Sequence, residues 1–288
     1  FHCWKRGGHG HVNLRNSLKS SCDVYYYDTA REVGIEKISE MANRLGIGIK
    51  HDLPMPAITA GLTPTKAWKQ ASYDEGWRVG DTLNAGIGQG YVLASPLQLA
   101  VMTARIATGR AVEPTLIRAK DGRPEDRPEP ADLGLSQTAL NFVRDGMYHV
   151  VNNRSGGTAY RARIADPENE MAGKTGTSQV RNITAEERAR GVFRNEDLPW
   201  NRRDHGLFVA YAPFNNPRYA VAVVVEHGGG GSTAAAPVAR DIMMRALYGP
   251  TPPLAAYPPG ERQEIERLRA EEPQPEGPER PSGGSDRA

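Results

Sequence analysis

The stretch Leu207–Glu226, LFVAYAPFNNPRYAVAVVVE, contains two β-strand patterns separated by a turn. Leu207–Ala212 and Tyr219–Glu226 are rich in β-branched and aromatic residues, and residues 213–217, PFNNP, supply turn formers. Two strands joined by so short a connection must run antiparallel. The stretch therefore predicts an antiparallel sheet.

Helical patterns lie on both sides of this stretch in the sequence. Apolar residues recur at helical spacing from Ile35 to Leu45. Further along the chain, Ser95-Pro96 and Ser136 are typical of residues that begin a helix. An apolar helix also follows the glycine loop His227–Ser232. The predicted helices are Ile35–Leu45, one from Pro96 to about Ala107, one from Ser136 to about Val151, and Thr233–Leu247. The fold class is α+β, with an antiparallel sheet flanked by helices.

Composition limits the function classes. The chain has 288 residues, of which 39% are hydrophobic, and its 36 Lys and Arg nearly balance its 34 Asp and Glu. This balance gives no support for a nucleic-acid partner, and two cysteines exclude a disulfide-stapled mini-domain. Residues 1–248 are predicted to form one domain. Residues 249–288 are rich in proline and charge, which predicts a mostly disordered tail with a short charged helix around Glu261–Glu272.

The segment Ala172–Ser178, AGKTGTS, is the first candidate for chemistry. A phosphate loop would need glycine at position 168 and an apolar strand before it, whereas the chain has Glu168 within the polar run DPENE. A strand edge fits better: Lys174, Thr175 and Thr177 could hold a carboxylate, and the Thr177 amide could face a developing oxyanion. A polar hairpin edge without a special role is the alternative.

The second candidate is Ser20–Asp23, SSCD, between helical patterns over Asn13–Lys19 and Val24–Val33. Taken alone, it is the N-cap of the second helix. Taken with Lys174-Thr175-Gly176, it resembles the active site of the penicillin-binding proteins, which use Ser-x-x-Lys, Ser-x-Asn and Lys-Thr-Gly in that order. Ser21-Cys22-Asp23 matches the second motif, with Asp in place of Asn.

The resemblance extends over Phe1–Leu247 and is closest to the monofunctional class B type that acts in cell elongation. It rests on several short stretches: Trp4-Lys5, Gly8–His11, Trp68-Lys69, Gly80–Thr82, and Gly86–Gly90 followed by Ala94–Gln98. It implies the fold shared by penicillin-binding transpeptidases and serine β-lactamases, with a five-stranded antiparallel sheet, incomplete at the N-terminus. Residues 1–248 would be the C-terminal part of the transpeptidase domain.

The nucleophilic Ser-x-x-Lys motif does not occur in this sequence, since no lysine has serine three positions before it. The closest stretch is Thr63–Lys66, which reads as a loop. The family's motif order places the nucleophile upstream of Phe1, so we expect the chain alone to be inactive. The resemblance also implies a parent protein on the periplasmic face of the inner membrane, anchored by an upstream transmembrane helix.

The reaction implied by the resemblance is acyl transfer from the D-Ala–D-Ala end of a peptidoglycan stem peptide. Ser21 would pass a proton to the leaving nitrogen and Lys174 would polarise Ser21. Thr177 would contribute an amide to the oxyanion hole. The substrate would also contact Asp23, Thr175, Gly176, Thr177 and Ser178, although a carboxylate at Asp23 cannot donate the hydrogen bond that an Asn amide provides.

The implied partners are stem peptides, β-lactams, a membrane glycan polymerase and the elongation machinery. Two other functions remain open. One is a hydrolase on the same fold, namely a D,D-carboxypeptidase, a β-lactamase or a β-lactam sensor. The other is a non-catalytic protein that binds cell-wall peptides or acts as a scaffold.

Cys3, His9 and Cys22 form the third candidate. Thiolate and imidazole are good zinc ligands, and a fourth ligand could come from upstream. Some relatives resembling this chain carry a metal beside the second motif, so a structural zinc is one interpretation, and catalysis itself needs no cofactor. A Cys3–Cys22 disulfide and two free thiols are the alternatives.

Overall fold

A computed structural model of the chain describes residues 1–181, 185–191 and 193–271. It contains ten α-helices within these ranges, in the order α1 Leu14–Ser20, α2 Asp23–Val33, α3 Ile35–Arg44, α4 Lys66–Tyr73, α5 Val79–Gly86, α6 Pro96–Thr108, α7 Gln137–Asn152, α8 Ala185–Arg190, α9 Ala236–Tyr248 and α10 Arg262–Glu271. The strands are β1 Ala119–Lys120, β2 Arg123–Pro124, β3 Ala172–Ser178, β4 His205–Ala212 and β5 Tyr219–Val225. No helix in the described ranges is both long and apolar enough to cross a bilayer.

The main sheet is antiparallel and has the strand order β3-β4-β5. Lys174 pairs with Val209 between β3 and β4, and Tyr211 pairs with Ala220 between β4 and β5. The predicted strands at Leu207–Ala212 and Tyr219–Glu226 are thus confirmed. The resemblance implies five strands in one sheet, whereas the described residues give this sheet three and form a separate hairpin from β1 and β2. That hairpin is exposed, polar and only two residues long on each side, so it adds nothing to the core.

The sheet is covered on both faces. Phe208 and Ala210 of β4 are fully buried in one cluster with Met243 of α9. Tyr211 of β4 is buried with Ala172 of β3 in a second cluster, which also contains Ala107 of α6 and Met147 of α7. Successive side chains on a strand point to opposite faces, which explains why neighbouring residues of β4 belong to different clusters.

Local signals set the helix ends as the sequence predicts. The Ser95 hydroxyl accepts the Gln98 N–H at 3.3 Å, and the Gln98 side chain accepts the Ser95 N–H at 3.0 Å, which completes a capping box at the start of α6. Gly109 ends α6 with φ of 74°, a backbone angle that glycine adopts without strain. The Ser136 hydroxyl accepts the Ala139 N–H at the start of α7.

The prediction of a disordered tail from residue 249 is wrong for its first part. Ala256 and Tyr257 are buried in the main core, and the Ala165 N–H donates to the Ala256 carbonyl at 2.7 Å. The averaged composition of the tail conceals this short apolar stretch, Leu254–Tyr257. The predicted charged helix is present as α10, and residues 272–288 lie outside the described part of the chain.

Candidate functional site

Ser21 occupies the corner between α1 and α2. It ends α1 in the left-handed conformation, with φ of 51° and ψ of 58°, and its N–H donates to the Leu18 carbonyl at 3.2 Å. The N-cap residue of α2 is Cys22, which makes no side-chain capping bond, and Asp23 is the first residue of the helix. The N-cap of α2 therefore lies within Ser20–Asp23, as the local pattern predicts, but it lacks a side-chain capping bond. The corner leaves the Ser21 hydroxyl available to β3.

Lys174 connects this corner to the sheet. Its Nζ donates hydrogen bonds to the Ser21 Oγ and to the Thr175 carbonyl, the latter at 2.8 Å. Burial lowers the pKa of Lys174 to about 8, and the Asp23 carboxylate opposes that shift. The ammonium therefore remains the main form at neutral pH. The structure thus brings together two predicted site residues that are 153 positions apart in the sequence.

Asp23 contacts the N-terminal segment of the chain. Its Oδ2 accepts the Trp4 N–H at 2.9 Å, while the Trp4 indole N–H donates to the Ser21 carbonyl at 2.8 Å. Trp4 thereby covers the outer side of the Ser21 corner. Trp4 belongs to the stretches that carry the family resemblance, but no signal in the sequence places it in the site.

The predicted substrate-binding residues lie along β3. The Thr175 and Thr158 hydroxyls are hydrogen-bonded at 2.9 Å, and Thr177 is exposed. Gly176 is packed against Gly231, where an added Cβ would lie 2.4 Å from the Gly176 carbonyl oxygen. Only a residue without a side chain fits at Gly231, so the glycine loop lies directly on β3. No signal in the sequence identifies Thr158 as part of the site.

Gln89 contacts the same strand from the loop after α5. Its Nε2 donates to the Thr177 carbonyl at 2.7 Å, and its Oε1 accepts the Gln179 N–H at 3.4 Å. The flanking Gly88 and Gly90 have φ of 75° and 73°, so the glycines of Gly86–Gly90 shape the turn that presents Gln89. Gly86–Gly90 is part of the family resemblance, but no signal in the sequence gives Gln89 a role in the site.

These residues line one open pocket of about 1260 Å³. Ser21, Asp23, Lys174 and Thr175 to Thr177 all face it, together with Gln89 and Gly231. Ser178 is not among the described residues that line it, although it directly follows Thr177 on β3. The pocket combines the Lys174 ammonium and the Arg6 guanidinium with one carboxylate, Asp23, and with hydroxyl and amide groups, a set suited to an anionic peptide-like ligand.

Cys3, His9 and Cys22 lie together beside the Ser21 corner. Their ligand atoms are all within 4.8 Å of one another, and the Cys3 Sγ is 3.3 Å from the His9 Nδ1. Burial lowers the pKa of His9 and raises the pKa of the Cys22 thiol. Both cysteines are free thiols in the structure.

Three further histidines have structural partners. His149 lies 2.9 Å from the Asp145 carbonyl oxygen on its own helix. The His227 backbone N–H donates to the His205 Nδ1 at 2.8 Å, so the His205 ring holds the start of β4 against the glycine loop. On this loop, the described residues that line the pocket are Gly230, Gly231 and Ser232.

Comparison with known proteins gives consistent matches. Residues 1–244 match the model of the family described as the penicillin binding protein transpeptidase domain. The peptidoglycan D,D-transpeptidase MrdA of Haemophilus influenzae is 36% identical over 263 residues, which cover 89% of this chain and 40% of that protein. MrdA of Escherichia coli K12 is 34% identical over 252 residues, covering 85% of this chain and 39% of that protein. The chain thus spans about two fifths of the length of these relatives.

Solved structures give the same result. Pseudomonas aeruginosa PBP2, in complex with WCK 5153, is 39% identical with a TM-score of 0.71, and the match covers 86% of this chain and 50% of that one. PBP2 in the complex with MreC from Helicobacter pylori is 35% identical with a TM-score of 0.72, covering 86% of this chain and 42% of that one. A peptidoglycan synthase complex that coordinates polymerization and crosslinking contains a chain that is 30% identical, with a TM-score of 0.63 and coverage of 83% and 38%.

Proposed function

The chain belongs to the penicillin-binding protein transpeptidase family, and from that premise we propose that its parent protein is a peptidoglycan D,D-transpeptidase of cell-wall elongation. The observation that carries the proposal is the hydrogen bond from Lys174 to Ser21 at the wall of the pocket. This bond brings the second motif of the family, at Ser21, into contact with the third, at Lys174. We propose that the chain supplies this half of the site and that the Ser-x-x-Lys nucleophile comes from the preceding part of the protein.

The proposed reaction forms and breaks an acyl-enzyme. The serine hydroxyl of the nucleophile motif adds to the carbonyl carbon of the penultimate D-Ala, and the bond to the terminal D-Ala nitrogen breaks. Ser21 relays to that nitrogen the proton lost by the attacking hydroxyl. An amine of a second stem peptide then takes the acyl group and releases the serine. The Thr177 N–H stabilises the oxyanion formed in both additions.

Charge and hydrogen bonds in the pocket support the binding of a peptide carboxylate. Lys174 supplies positive potential in a half-buried position, where an ion pair is stronger than at a fully exposed surface. The Thr175 and Thr177 side chains provide hydroxyl donors beside it. Gly176 lets the ligand approach the strand backbone closely. We therefore assign substrate binding to Thr175, Gly176 and Thr177, and to Asp23, which lines the pocket beside Ser21.

The same proposal covers partners and location. One similar PBP2 is solved with MreC, and another similar chain belongs to a complex that couples polymerization to crosslinking. We propose that the parent protein likewise works with a membrane glycan polymerase and elongation proteins, on the periplasmic side of the inner membrane. β-Lactams would acylate the same serine as stem peptides do.

Intact mass spectrometry of the full-length protein after exposure to benzylpenicillin tests this function. We expect a stable mass increase of one penicillin on the wild type and its loss in Lys174→Ala. The matched control is Lys37→Ala, which removes an exposed lysine of α3 and should be acylated like the wild type. An adduct that disappears within seconds would indicate a hydrolase. Absence of any adduct on the folded wild type would instead indicate a binding or scaffold protein.

We also propose that Cys3, His9 and Cys22 hold a structural zinc ion. Two thiolates and a neutral imidazole suit zinc, and donor atoms within 4.8 Å of one another can converge on one ion. The ion would fix the N-terminal segment to the Ser21 corner and would take no part in the reaction. We expect one zinc per protein by elemental analysis and a lower melting temperature in Cys22→Ser. A metal-free protein with normal stability would contradict this proposal.

A further inference from the structure

Side chains of the protein already make hydrogen bonds to part of the backbone edge of β3 that faces the pocket. Within the described residues, β3 is the outermost strand of its sheet, with β4 on its other side. An exposed strand edge is a template for an extended peptide, which pairs with it through main-chain hydrogen bonds. The proposed acyl donor is such a peptide, so its binding depends on which backbone groups of this edge already have hydrogen-bond partners.

The contacts of β3 identify which residues point their backbone groups toward the pocket. The N–H and C=O of one residue point to the same side of a strand, and the side alternates from one residue to the next. The Thr175 carbonyl accepts a hydrogen bond from Lys174 Nζ, and the Thr177 carbonyl accepts one from Gln89 Nε2. Thr175 and Thr177 therefore face the pocket, and Gly176 between them faces β4.

Gln89 makes the contacts that a paired strand would make. Its side-chain amide donates to the Thr177 carbonyl at 2.7 Å and accepts from the Gln179 N–H at 3.4 Å. An added antiparallel strand would bond these same two groups, through two of its residues. The loop that carries Gln89 is fixed to the helix of the second motif, since Gly86 packs so closely on Ala30 of α2 that an added Cβ would lie 2.4 Å from the Ala30 Cβ.

The acyl donor needs the Thr177 carbonyl, the acceptor to which Gln89 donates. In an antiparallel pair, one residue of the incoming strand bonds both the N–H and the C=O of the residue opposite. The scissile carbonyl accepts the Thr177 N–H in the proposed mechanism. The N–H of the same donor residue is then directed to the Thr177 carbonyl, which is the acceptor that Gln89 occupies.

We propose that Gln89 is a specificity-determining residue that the backbone amide of the acyl donor must displace from the Thr177 carbonyl. This inference rests on the proposed transpeptidase function. Ligands with an amide N–H beside the reacting carbonyl compete with Gln89 for one acceptor. Ligands without that N–H react with Gln89 left in its place. Gln89 thus selects among ligands by whether they can replace its hydrogen bond.

Two β-lactams separate these cases. Benzylpenicillin carries an acylamino group on the carbon next to its reactive carbonyl, as a peptide does. A carbapenem carries a hydroxyethyl group there. The measured quantity is the second-order acylation rate constant of the full-length protein for each ligand. Both ligands accept a hydrogen bond from the Thr177 N–H, so any effect of a substitution on that group cancels in the ratio of the benzylpenicillin rate constant to the carbapenem rate constant.

Gln89→Ala should raise this ratio about three- to tenfold, the factor corresponding to one hydrogen bond of ordinary net strength. Gln89→Glu should raise it similarly, because a carboxylate of the same shape accepts the Gln179 N–H but cannot donate to Thr177. Gln70→Ala, which removes an exposed glutamine of α4, should leave it unchanged. In a crystal structure of the benzylpenicillin adduct, Gln89 Nε2 should lie beyond hydrogen-bond distance of the Thr177 carbonyl.

The outcomes are distinct. An unchanged or lower ratio in either Gln89 variant, with the wild type acylated by both ligands, overturns this inference and leaves the transpeptidase function standing. A rise in Gln89→Ala alone would mean that the bulk of the side chain acts rather than its hydrogen bond, and this also overturns it. A wild type that neither ligand acylates overturns the function and the inference together.

Discussion

Lys174 is a cation held where charge is costly. Burial disfavours its ammonium form, and its partners are two neutral oxygens, the Ser21 hydroxyl and the Thr175 carbonyl. The Asp23 carboxylate favours the charged form, but it is not strong enough to restore the usual pKa. Lys174 therefore carries its positive charge at neutral pH but loses it within a mildly alkaline range. In the proposed function, binding of an anionic ligand depends on that charge.

This balance predicts a pH profile. Acylation by benzylpenicillin should decline above pH about 8, because deprotonation of Lys174, whose pKa burial lowers to about 8, removes the charge that attracts the ligand carboxylate. Asp23→Asn should move the decline to lower pH, because it removes the carboxylate that favours the ammonium. Stopped-flow rate constants across the alkaline range measure both profiles. A wild-type rate that stays level well above pH 8, or an unshifted profile in Asp23→Asn, would contradict this assignment.

At the scale of elements, the site depends on how closely the glycine loop approaches the sheet. The π-helical turn Gly231–Ala235 precedes α9 and packs on β3 and β4. A Cβ on Gly231 would lie 2.1 Å from the Leu207 carbonyl oxygen and 2.4 Å from that of Gly176. Both neighbours are strand backbone, which cannot move without disturbing the ladder of hydrogen bonds. The loop and the strand therefore fix each other's position.

Gly231→Ala should consequently separate the loop from β3 and displace Gly176 and Thr177. We expect acylation by benzylpenicillin to fall at least about tenfold, since small displacements of oxyanion donors are costly. Gly76→Ala is the matched control, because an added Cβ there meets nothing within 4 Å. The two variants are compared by acylation rate constant and by melting temperature. Wild-type acylation in Gly231→Ala would show that the loop tolerates a wider spacing.

The sequence predicts elements well where the signal is local. Ser95 and Gln98 are three positions apart and complete a capping box, and Leu207–Ala212 forms a strand as its pattern indicates. Contacts between distant segments cannot be predicted from such local signals. Ser21 and Lys174 could be paired only through the family motifs, and nothing in the sequence indicates that Gln89 reaches Thr177. Such contacts depend on how helices and strands pack, which short-range patterns do not encode.

At the scale of the molecule, the C-terminal segment completes the core beyond the part that matches the family. The match ends at residue 244, whereas Ala256 is 0% and Tyr257 6% exposed in the main core cluster. The Arg240 guanidinium of α9, 2% exposed, lies over the Tyr257 ring at 5.4 Å and pairs with Glu261 at 2.7 Å. A buried arginine needs such partners, and the segment provides two of them. The segment therefore belongs to the folded domain.

Tyr257→Ala tests this on the full-length protein. Removing the ring leaves a cavity against α9 and takes one partner from Arg240, so we expect a loss of about 3 kcal/mol in the free energy of unfolding of this domain. Leu268→Ala, in α10 of the same segment, removes a side chain that is 45% exposed and should cost less than about 1 kcal/mol. Urea denaturation followed by tryptophan fluorescence compares the two variants with the wild type. Equal midpoints for all three would mean that the segment lies on the domain without stabilising it, since a cavity in a shared core must lower the midpoint.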